Sequence, residues 1–335
     1  MRPFQEIGKF LLGKPGPVNK PLLVLAGSAV VGKKTRESII KHFRIVDSPA
    51  IRNRFASPNE PYTLWCSLDS RISSRVFEGS ILPSHIVTSS TGITHFELEF
   101  YRLHKDKVIK LERNDKGLDK VSSTAELSWA LFLQLHMRLL ESQVEVLNGV
   151  WNRWNYYRDQ ISSLSIGIVG YGRLGEITAK YAAAFGATIK VWDIDETRLQ
   201  VAKLSYPNSC VSSLQALLEK SDVVFLHANE QENRNPIITD ALLERVRTPF
   251  GLINTARGSL VDETSLSKWL NKGKIRFYGA DVLEAEYEDW TQSVILKLAQ
   301  EQKNIVLTPH IGGASFQAAE DIEDILLQKL LSKIS

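Results

Sequence analysis

Three glycines spaced as G-x-G-x-x-G place the tightest restriction on how this 335-residue chain can fold. They are Gly170, Gly172 and Gly175 of the stretch GIVGYGRLG, which follows the apolar run 166–169 and precedes the helix-forming stretch EITAKYAAAFG. A lone motif of this kind is weak evidence, but strand, glycine turn and helix in this order predict a dinucleotide-binding βαβ unit. Asp193 ends the next apolar run, at about the expected distance of twenty residues along the chain.

Each part of this motif has a chemical role towards a dinucleotide. Gly170 would make the tight turn, Gly172 would let the backbone approach a pyrophosphate, and Gly175 would allow close packing of helix on strand. The helix N-terminus offers N–H groups and a positive dipole end to the phosphates. Asp193 can accept from both ribose hydroxyls and would repel a 2′-phosphate, so the motif predicts NAD rather than NADP. A methyltransferase and a purely structural glycine turn are the alternatives.

Short apolar runs alternate with helical patterns on both sides of the motif. The runs are PLLVLA, FRIVD, YTLWCSL, HIVTSS and KVIKL before it, and LSIGIVG, TIKVWD, DVVFLH, FGLIN, RFYGADV and NIVLTPH from the motif onward. This alternation predicts an α/β protein with two doubly wound parallel sheets. A long helix is predicted from Ser123, where STAE has the pattern of a capping box, to about Leu147, and a last amphipathic helix follows Ser315.

Composition excludes several other classes of protein. The net charge is +3, from 41 basic and 38 acidic residues, which leaves no footprint for nucleic acid. Cys66 and Cys210 have neither disulfide nor metal-ligand spacing, so no metal is predicted and a cytoplasmic location is expected. No signal peptide is expected at the start, and the stretch LSWALFLQLHMRLL is too short and too polar to span a membrane.

Residues 22–35, LLVLAGSAVVGKKT, come close to the phosphate-binding P-loop G-x-x-x-x-G-K-[ST]. Lys34 stands where a P-loop needs Ser or Thr to ligate magnesium, and Thr35 comes one residue late. One residue along a helix turns the hydroxyl by about 100°. We therefore expect the first strand and turn of the other domain here, with a nucleotide triphosphatase as the remote alternative.

Charged side chains follow three neighbouring strands of the predicted second sheet. Arg257 comes after FGLIN, Asp281, Glu284 and Glu286 come after RFYG, and His310 comes after NIVL. Ligands of doubly wound sheets bind beyond the carboxyl ends of the strands. Arginine grips a carboxylate with two hydrogen bonds, histidine exchanges a proton near neutral pH, and a nearby carboxylate favours its protonated form. The set predicts hydride exchange at a 2-hydroxy or 2-oxo acid.

With these residues in view, the chain resembles the D-isomer-specific 2-hydroxyacid dehydrogenases, of the D-3-phosphoglycerate dehydrogenase type. The motifs that carry the resemblance are STAEL, GIVGYGRLG, VWD, SDVVFLH, INTARGSLVD, GADVLEAE and LTPHIGG. The resemblance implies a Rossmann NAD-binding domain, 123–313, inserted into a flavodoxin-like substrate domain formed by 1–122 and 314–335. It also implies NAD as cofactor and a homodimer whose contact is the long helix with the aromatic segment at 124–163. For residues 149–163, stacking on single-stranded nucleic acid is the alternative to a packed crossover.

The same resemblance assigns roles residue by residue. Arg257 would bind the substrate carboxylate, His310 would act as acid and base, and Glu286 would tune His310. The cofactor-binding positions would be Gly170, Gly172, Arg173, Leu174, Gly175, Asp193, His227, Ala228, Thr255, Ala256, Asp281, Gly312 and Gly313. The substrate-binding positions would be Ser70, Arg71, Gly92 and Arg257.

Three stretches depart from the family pattern. Tyr287 stands where a proline usually follows the catalytic glutamate, HANEQEN replaces the usual H-x-P-x-T, and KVSST lacks a threonine before the long helix. These departures leave the substrate open. A non-catalytic NAD-sensing protein remains an alternative, because the C-terminal-binding-protein corepressors resemble the same family and keep the trio. Glu286 argues against a formate dehydrogenase, which carries Gln at the matching place.

Overall fold

The computed structural model describes residues 20–27, 31–51, 55–230, 235–302 and 304–334. The chain divides into two units, which we name the first unit (Met1–Val121 with Ser315–Ser335) and the second unit (Ser122–Ala314). These bounds lie within one residue of the ranges expected for the two domains. Residues 28–30, in the middle of the P-loop-like stretch, lie outside the described ranges.

The first unit contains a five-stranded parallel sheet. Its elements are β1 (Leu22–Ala26), α1 (Lys33–His42), β2 (Arg44–Ser48), β3 (Tyr62–Cys66), β4 (His85–Thr88), α2 (Leu98–His104), β5 (Val108–Ile109) and α11 (Phe316–Ile334). The strand order is β2-β1-β3-β4-β5, the order of flavodoxin-like sheets. β1 and β3 are buried at every residue, as expected for parallel strands covered on both faces. The predicted fold class is confirmed here.

Helix α11 completes the core of the first unit. Leu326 and Leu330 are fully buried and belong to one apolar cluster with Leu23 of β1 and Trp65 of β3. The last helix therefore returns to the sheet that the first hundred residues form.

The start of α1, where a P-loop would hold phosphate, already has an anionic partner. The N–H group of Gly32 donates to Glu323 Oε2 of α11 at 2.8 Å, and Glu323 is 7% exposed. Thr35, the late candidate for a magnesium ligand, is fully buried. A carboxylate of the chain itself therefore lies at this helix N-terminus, which argues against a triphosphate there.

The second unit contains a six-stranded parallel sheet. Its elements are α3 (Ser123–Met137), α4 (Leu139–Leu147), β6 (Ser165–Val169), α5 (Arg173–Ala184), β7 (Thr188–Trp192), α6 (Glu196–Ser205), α7 (Leu214–Glu219), β8 (Val223–Leu226), α8 (Asp240–Arg245), β9 (Phe250–Asn254), α9 (Glu263–Asn271), β10 (Ile275–Ala280), α10 (Val294–Glu301) and β11 (Ile305–Leu307). The strand order is β11-β10-β9-β8-β6-β7. A single parallel bridge between Val191 and Cys210 marks a vestigial strand beyond β7. With that bridge, the order becomes the 3-2-1-4-5-6 arrangement of dinucleotide-binding sheets, extended by one strand.

The predicted long helix is divided, and its predicted cap is wrong. Arg138 has φ 53°, in the left-handed region, so α3 ends before it and α4 begins after it. The Arg138 guanidinium holds this break by bonding to Glu141 and to the Asn155 carbonyl oxygen. The N-cap position is Ser122 rather than Ser123, and the Ser122 hydroxyl donates to the Glu126 side chain instead of a backbone group. None of the helices in the described ranges has the length and apolar character of a membrane span.

Candidate active site

Two glycines of the G-x-G-x-x-G motif are required by the packing of the protein itself. Gly170 has φ 89°, and a Cβ there would lie 2.8 Å from the Ala228 amide nitrogen. A Cβ at Gly175 would lie 2.1 Å from the Gly170 carbonyl oxygen. Gly170 therefore makes the turn after β6, and Gly175 lets α5 approach that turn.

Gly172 faces open space instead. A Cβ there would meet no atom of the described residues within 4 Å, although Gly172 is the N-cap of α5. No described side chain caps this helix end, whose first turn contains Arg173 and Leu174. A helix N-terminus that opens onto room for a ligand fits the pyrophosphate of a dinucleotide.

Asp193 lies beside the glycine turn. Its Oδ2 accepts the N–H of Tyr171 at 2.6 Å, and its Oδ1 accepts the N–H of Asp195 at 2.9 Å. Each carboxylate oxygen has a second lone pair for a further donor. The carboxylate therefore joins the end of β7 to the turn, and its predicted contact with a ribose remains a prediction.

His227, at the end of β8, is a neutral histidine. Its Nε2 shares a hydrogen bond of 2.8 Å with the Thr178 hydroxyl of α5. Nδ1 is buried and has no hydrogen-bond partner among the described residues. Burial and the charge of Arg173 lower the pKa of His227 to about 3. The ring thus packs uncharged against the helix that carries the glycine motif.

Arg257 is placed by a turn that Asn254 folds. The buried Asn254 side chain donates to the Arg257 carbonyl oxygen at 2.9 Å and accepts the Ala256 N–H at 3.1 Å. Between them, the Thr255 hydroxyl shares a buried hydrogen bond of 2.6 Å with Ser128 of α3. Hydrogen bonds to the Asn254 and Ser128 side chains therefore fix the turn after β9, which ends in Arg257.

The structure brings two members of the predicted catalytic trio into contact. His310 Nδ1 lies 2.9 Å from Glu286 Oε1, and the two side chains are 26% and 15% exposed. Since a carboxylate accepts, Nδ1 carries the proton, and Nε2 remains for a substrate. His310 has φ 52°, an uncommon value for a residue other than glycine. Strained backbone of this kind clusters at functional sites.

Asp281 anchors the loop that carries His310. Its carboxylate accepts the Thr308 hydroxyl at 2.6 Å, the Ile311 N–H at 2.8 Å and the Gly312 N–H at 2.7 Å. Asp281 is 1% exposed, and burial raises its pKa against the effect of these hydrogen bonds. Its observed contacts are with this loop, and its predicted contact with a cofactor remains a prediction. Gly313 follows in open space, with no described atom within 4 Å of a Cβ.

Tyr287 and Glu230 lie in two stretches that depart from the family pattern, and both have neighbours among the residues of the candidate site. Burial and the Glu286 carboxylate raise the pKa of Tyr287, Arg257 lowers it, and Glu230 raises it further. Glu230 also accepts a hydrogen bond of 2.5 Å from Ser259, two residues after Arg257. Residues 231–234, which include the last three residues of HANEQEN, lie outside the described ranges.

The substrate positions predicted in the first unit differ in accessibility. Ser70 is fully buried, and its hydroxyl accepts the N–H of Ile51 at 3.1 Å, so its observed role is structural. Arg71 and Gly92 are partly exposed. Their role towards a substrate remains a prediction.

The residues that sequence reasoning missed are those that fix the backbone of the site by hydrogen bonds, not those predicted to take part in catalysis. Neither Asn254 nor Thr308 is among the predicted site residues, although an asparagine at a strand end, before a turn, is a recognisable signal for backbone hydrogen bonding. No local signal marks Thr308, because its partner Asp281 lies 27 residues away. Among the described residues, no group of three His, Cys, Asp or Glu side chains is arranged to hold a metal ion.

Comparison with known proteins gives matches over both units. The family model described as "D-isomer specific 2-hydroxyacid dehydrogenase, NAD binding domain" matches residues 129–312. A glyoxylate reductase of Thermofilum pendens is 29% identical over 279 residues, covering 80% of this chain and 77% of that protein. A D-3-phosphoglycerate dehydrogenase of Haemophilus influenzae is 32% identical over 200 residues, but the match spans only 47% of its length.

Solved structures show the same fold. The TT0316 protein from Thermus thermophilus has a TM-score of 0.72 at 25% identity, covering 92% of this chain and 96% of that one. A glyoxylate reductase from Paecilomyes thermophila has a TM-score of 0.75 at 19% identity, covering 95% and 96%. At 19% identity, the second likeness shows the fold alone.

Proposed function

Since the chain belongs to the D-isomer-specific 2-hydroxyacid dehydrogenase family, we propose that it transfers a hydride between NAD(H) and a D-2-hydroxy acid or the matching 2-oxo acid. The contact between His310 and Glu286 carries this proposal. It supplies an oriented proton donor and acceptor at the carboxyl end of the sheet, beside the turn that ends in Arg257. Hydride exchange at an alcohol carbon needs such a proton-transfer group.

The chain's own residues would perform three tasks. Arg257 binds the substrate carboxylate with two parallel hydrogen bonds and polarises the neighbouring carbonyl. In reduction, protonated His310 gives its Nε2 proton to the oxo oxygen, and in oxidation the neutral ring takes the hydroxyl proton. Glu286 keeps the ring oriented and stabilises its positive charge. The bound cofactor supplies or accepts the hydride; the open helix end at Gly172 is the observation that fits it.

The substrate can be sought directly. Oxidation of NADH would be followed by absorbance over a broad panel of 2-oxo acids, including phosphorylated and sugar-derived ones. Turnover of at least one supports a dehydrogenase. Tight NADH binding, seen by quenching of the seven tryptophans, without turnover of any would favour the NAD-sensing alternative.

We expect the protein to use NADH at least tenfold better than NADPH. A 2′-phosphate beside Asp193 would experience a like-charge repulsion, and about 1.4 kcal/mol of it suffices for a tenfold preference. The variant Asp193→Asn should narrow the preference while keeping an acceptor for the Tyr171 N–H. Titration of tryptophan fluorescence with either cofactor measures it, and a native preference for NADPH would contradict this role of Asp193.

A homodimer is also proposed, through α4 and the aromatic segment that follows it. Large apolar side chains are exposed there, namely Leu140 56%, Val144 51%, Leu147 75%, Trp151 88% and Trp154 70%. Exposed apolar side chains concentrated in one segment favour a protein interface there. A second copy of the chain is the occupant that family membership suggests.

The dimer is tested by the pair of changes Leu147→Ser and Trp151→Ser. We expect the double variant to run as a monomer in sedimentation or light-scattering measurements, while the unmodified chain runs as a dimer. Leu204→Ser is the matched control, because Leu204 is 85% exposed on α6, outside this surface. A native monomer, or a dimer unaffected by the double change, would contradict the proposed interface.

A cytoplasmic location is proposed as well. Cys66 and Cys210 are both free thiols, and Cys66 is buried. Free thiols persist in reducing compartments, which supports this location.

A further inference from the structure

Glu263 is a buried carboxylate to which the proposed reaction assigns no task. It is the first residue of α9 and is 4% exposed. Its Oε1 accepts the N–H of Glu284 at 2.8 Å, and its Oε2 accepts the hydroxyl of Ser293 at 2.8 Å. One carboxylate therefore joins both ends of the loop 284–293, which carries Glu286.

The far end of this loop is also a helix start. Ser293 is the N-cap of α10, and its Oγ accepts the N–H groups of Ile295 and Leu296 at 3.2 and 3.3 Å. The Ser293 hydroxyl proton is thereby left for Glu263. Loss of Glu263 would remove its hydrogen bonds both to the start of the loop at Glu284 and to the helix cap at Ser293.

The near end of the loop packs against the turn that carries Arg257. A Cβ at Gly258 would lie 2.1 Å from the Leu283 carbonyl carbon and 2.4 Å from the Glu284 nitrogen. The peptide that Glu263 binds thus touches the residue directly after Arg257. The turn that carries Arg257 therefore packs through Gly258 against the start of the Glu286 loop, and Glu263 binds the same peptide.

His310 has its own anchor in Asp281, which binds the loop 308–312 through three hydrogen bonds. The contact between Glu286 and His310 therefore spans two loops, each fixed to the core by a different buried carboxylate. A misplacement of about 1 Å at a reacting group can cost about 10²-fold in rate.

We propose that Glu263 is a positioning residue for the pair Glu286–His310: it holds the loop 284–293 so that Glu286 Oε1 stays within hydrogen-bond distance of His310 Nδ1. This proposal rests on the proposed function of that pair. Glu263 acts through Glu286, so its removal affects proton transfer and leaves cofactor binding unchanged.

A double-mutant cycle tests this coupling. Glu263→Ala is expected to lower kcat about 10²-fold, and Glu263→Gln, which keeps one acceptor, to lower it less. In a Glu286→Gln background, Glu263→Ala should have little further effect, because the contact that it supports is already lost. NADH affinity, measured by tryptophan quenching, should stay within about twofold in every variant.

Glu323→Gln is the matched control. Glu323 is another buried carboxylate that accepts a backbone N–H, and it lies in the first unit, outside the proposed machinery. Its variant is expected to keep kcat while its melting temperature changes. The role of Glu263 would be overturned if the unmodified chain is active and Glu263→Ala lowers kcat equally in the native and Glu286→Gln backgrounds. The proposed function would still stand after that result.

A second readout does not depend on turnover. The proton between His310 Nδ1 and Glu286 should give a low-field NMR resonance, which Glu286→Gln identifies by its loss. We expect the resonance to disappear in Glu263→Ala, to weaken in Glu263→Gln and to persist in Glu323→Gln. Persistence in folded Glu263→Ala would overturn the proposal even if no 2-oxo acid proves to be a substrate.

Discussion

Replacing His310 by asparagine is expected to lower kcat by about 10² to 10⁴-fold. The imidazole is the proton donor in reduction and the acceptor in oxidation, and asparagine can form a hydrogen bond in its place but cannot exchange a proton near neutral pH. Binding of NADH should stay unchanged, because the glycine turn and Asp193 lie after other strands. Steady-state kinetics with the best 2-oxo acid, together with tryptophan quenching by NADH, separates the two effects.

His104→Asn serves as the control for this change. His104 ends α2 in the first unit, where its ring packs against Phe100, and its loss should leave kcat unchanged. Glu286→Gln should fall between the two, since the charged contact with His310 is lost while the imidazole can still exchange a proton. Full activity of His310→Asn would rule out its role as acid and base.

Two glycines only three positions apart should respond to the same substitution in opposite ways. Gly175→Ala is expected to lower the free energy of unfolding by about 3 kcal/mol, because its methyl group would lie 2.1 Å from a backbone oxygen that cannot move aside. Gly172→Ala should leave stability unchanged, since its methyl group would enter open space. That space is where we expect the pyrophosphate, so Gly172→Ala should weaken NADH binding tenfold or more, which is about 1.4 kcal/mol.

Denaturant unfolding and fluorescence titration of both variants complete this test. The informative result is the crossed pattern, in which one variant loses stability and the other loses affinity. If Gly172→Ala bound NADH as tightly as the unmodified chain, the phosphates would have to lie elsewhere.

The apolar runs were sufficient to predict every strand of both sheets, because buried parallel strands are short and almost continuously apolar. Local patterns failed where one residue decided the outcome. The break at Arg138 falls inside an unbroken helical periodicity, where the Arg138 guanidinium bonds to Glu141 and to the distant Asn155 carbonyl oxygen. The vestigial strand at Cys210 is one bridge long, so no apolar run announces it.

The candidate site shows the same division. The pattern of charged residues after strand ends points to Arg257, to His310 and to three acids after β10. The family resemblance singles out Glu286 among those acids, and the structure places Glu286 against His310. The buried carboxylates of Asp281 and Glu263 bind partners 21 to 31 residues away, and Glu323 binds Gly32 across 291 positions. A sequence shows that such acids are present, but not which distant donors satisfy them once they are buried.

The return of α11 to the first sheet has a consequence for synthesis on the ribosome. The second unit is one continuous stretch and can fold as soon as it has emerged. The first unit must wait, because Leu23 and Trp65 lack the cover of Leu326 and Leu330 until the last helix has been made. We therefore expect the inserted unit to fold first, while the face of the earlier sheet stays available to chaperones for the time needed to translate nearly two hundred residues.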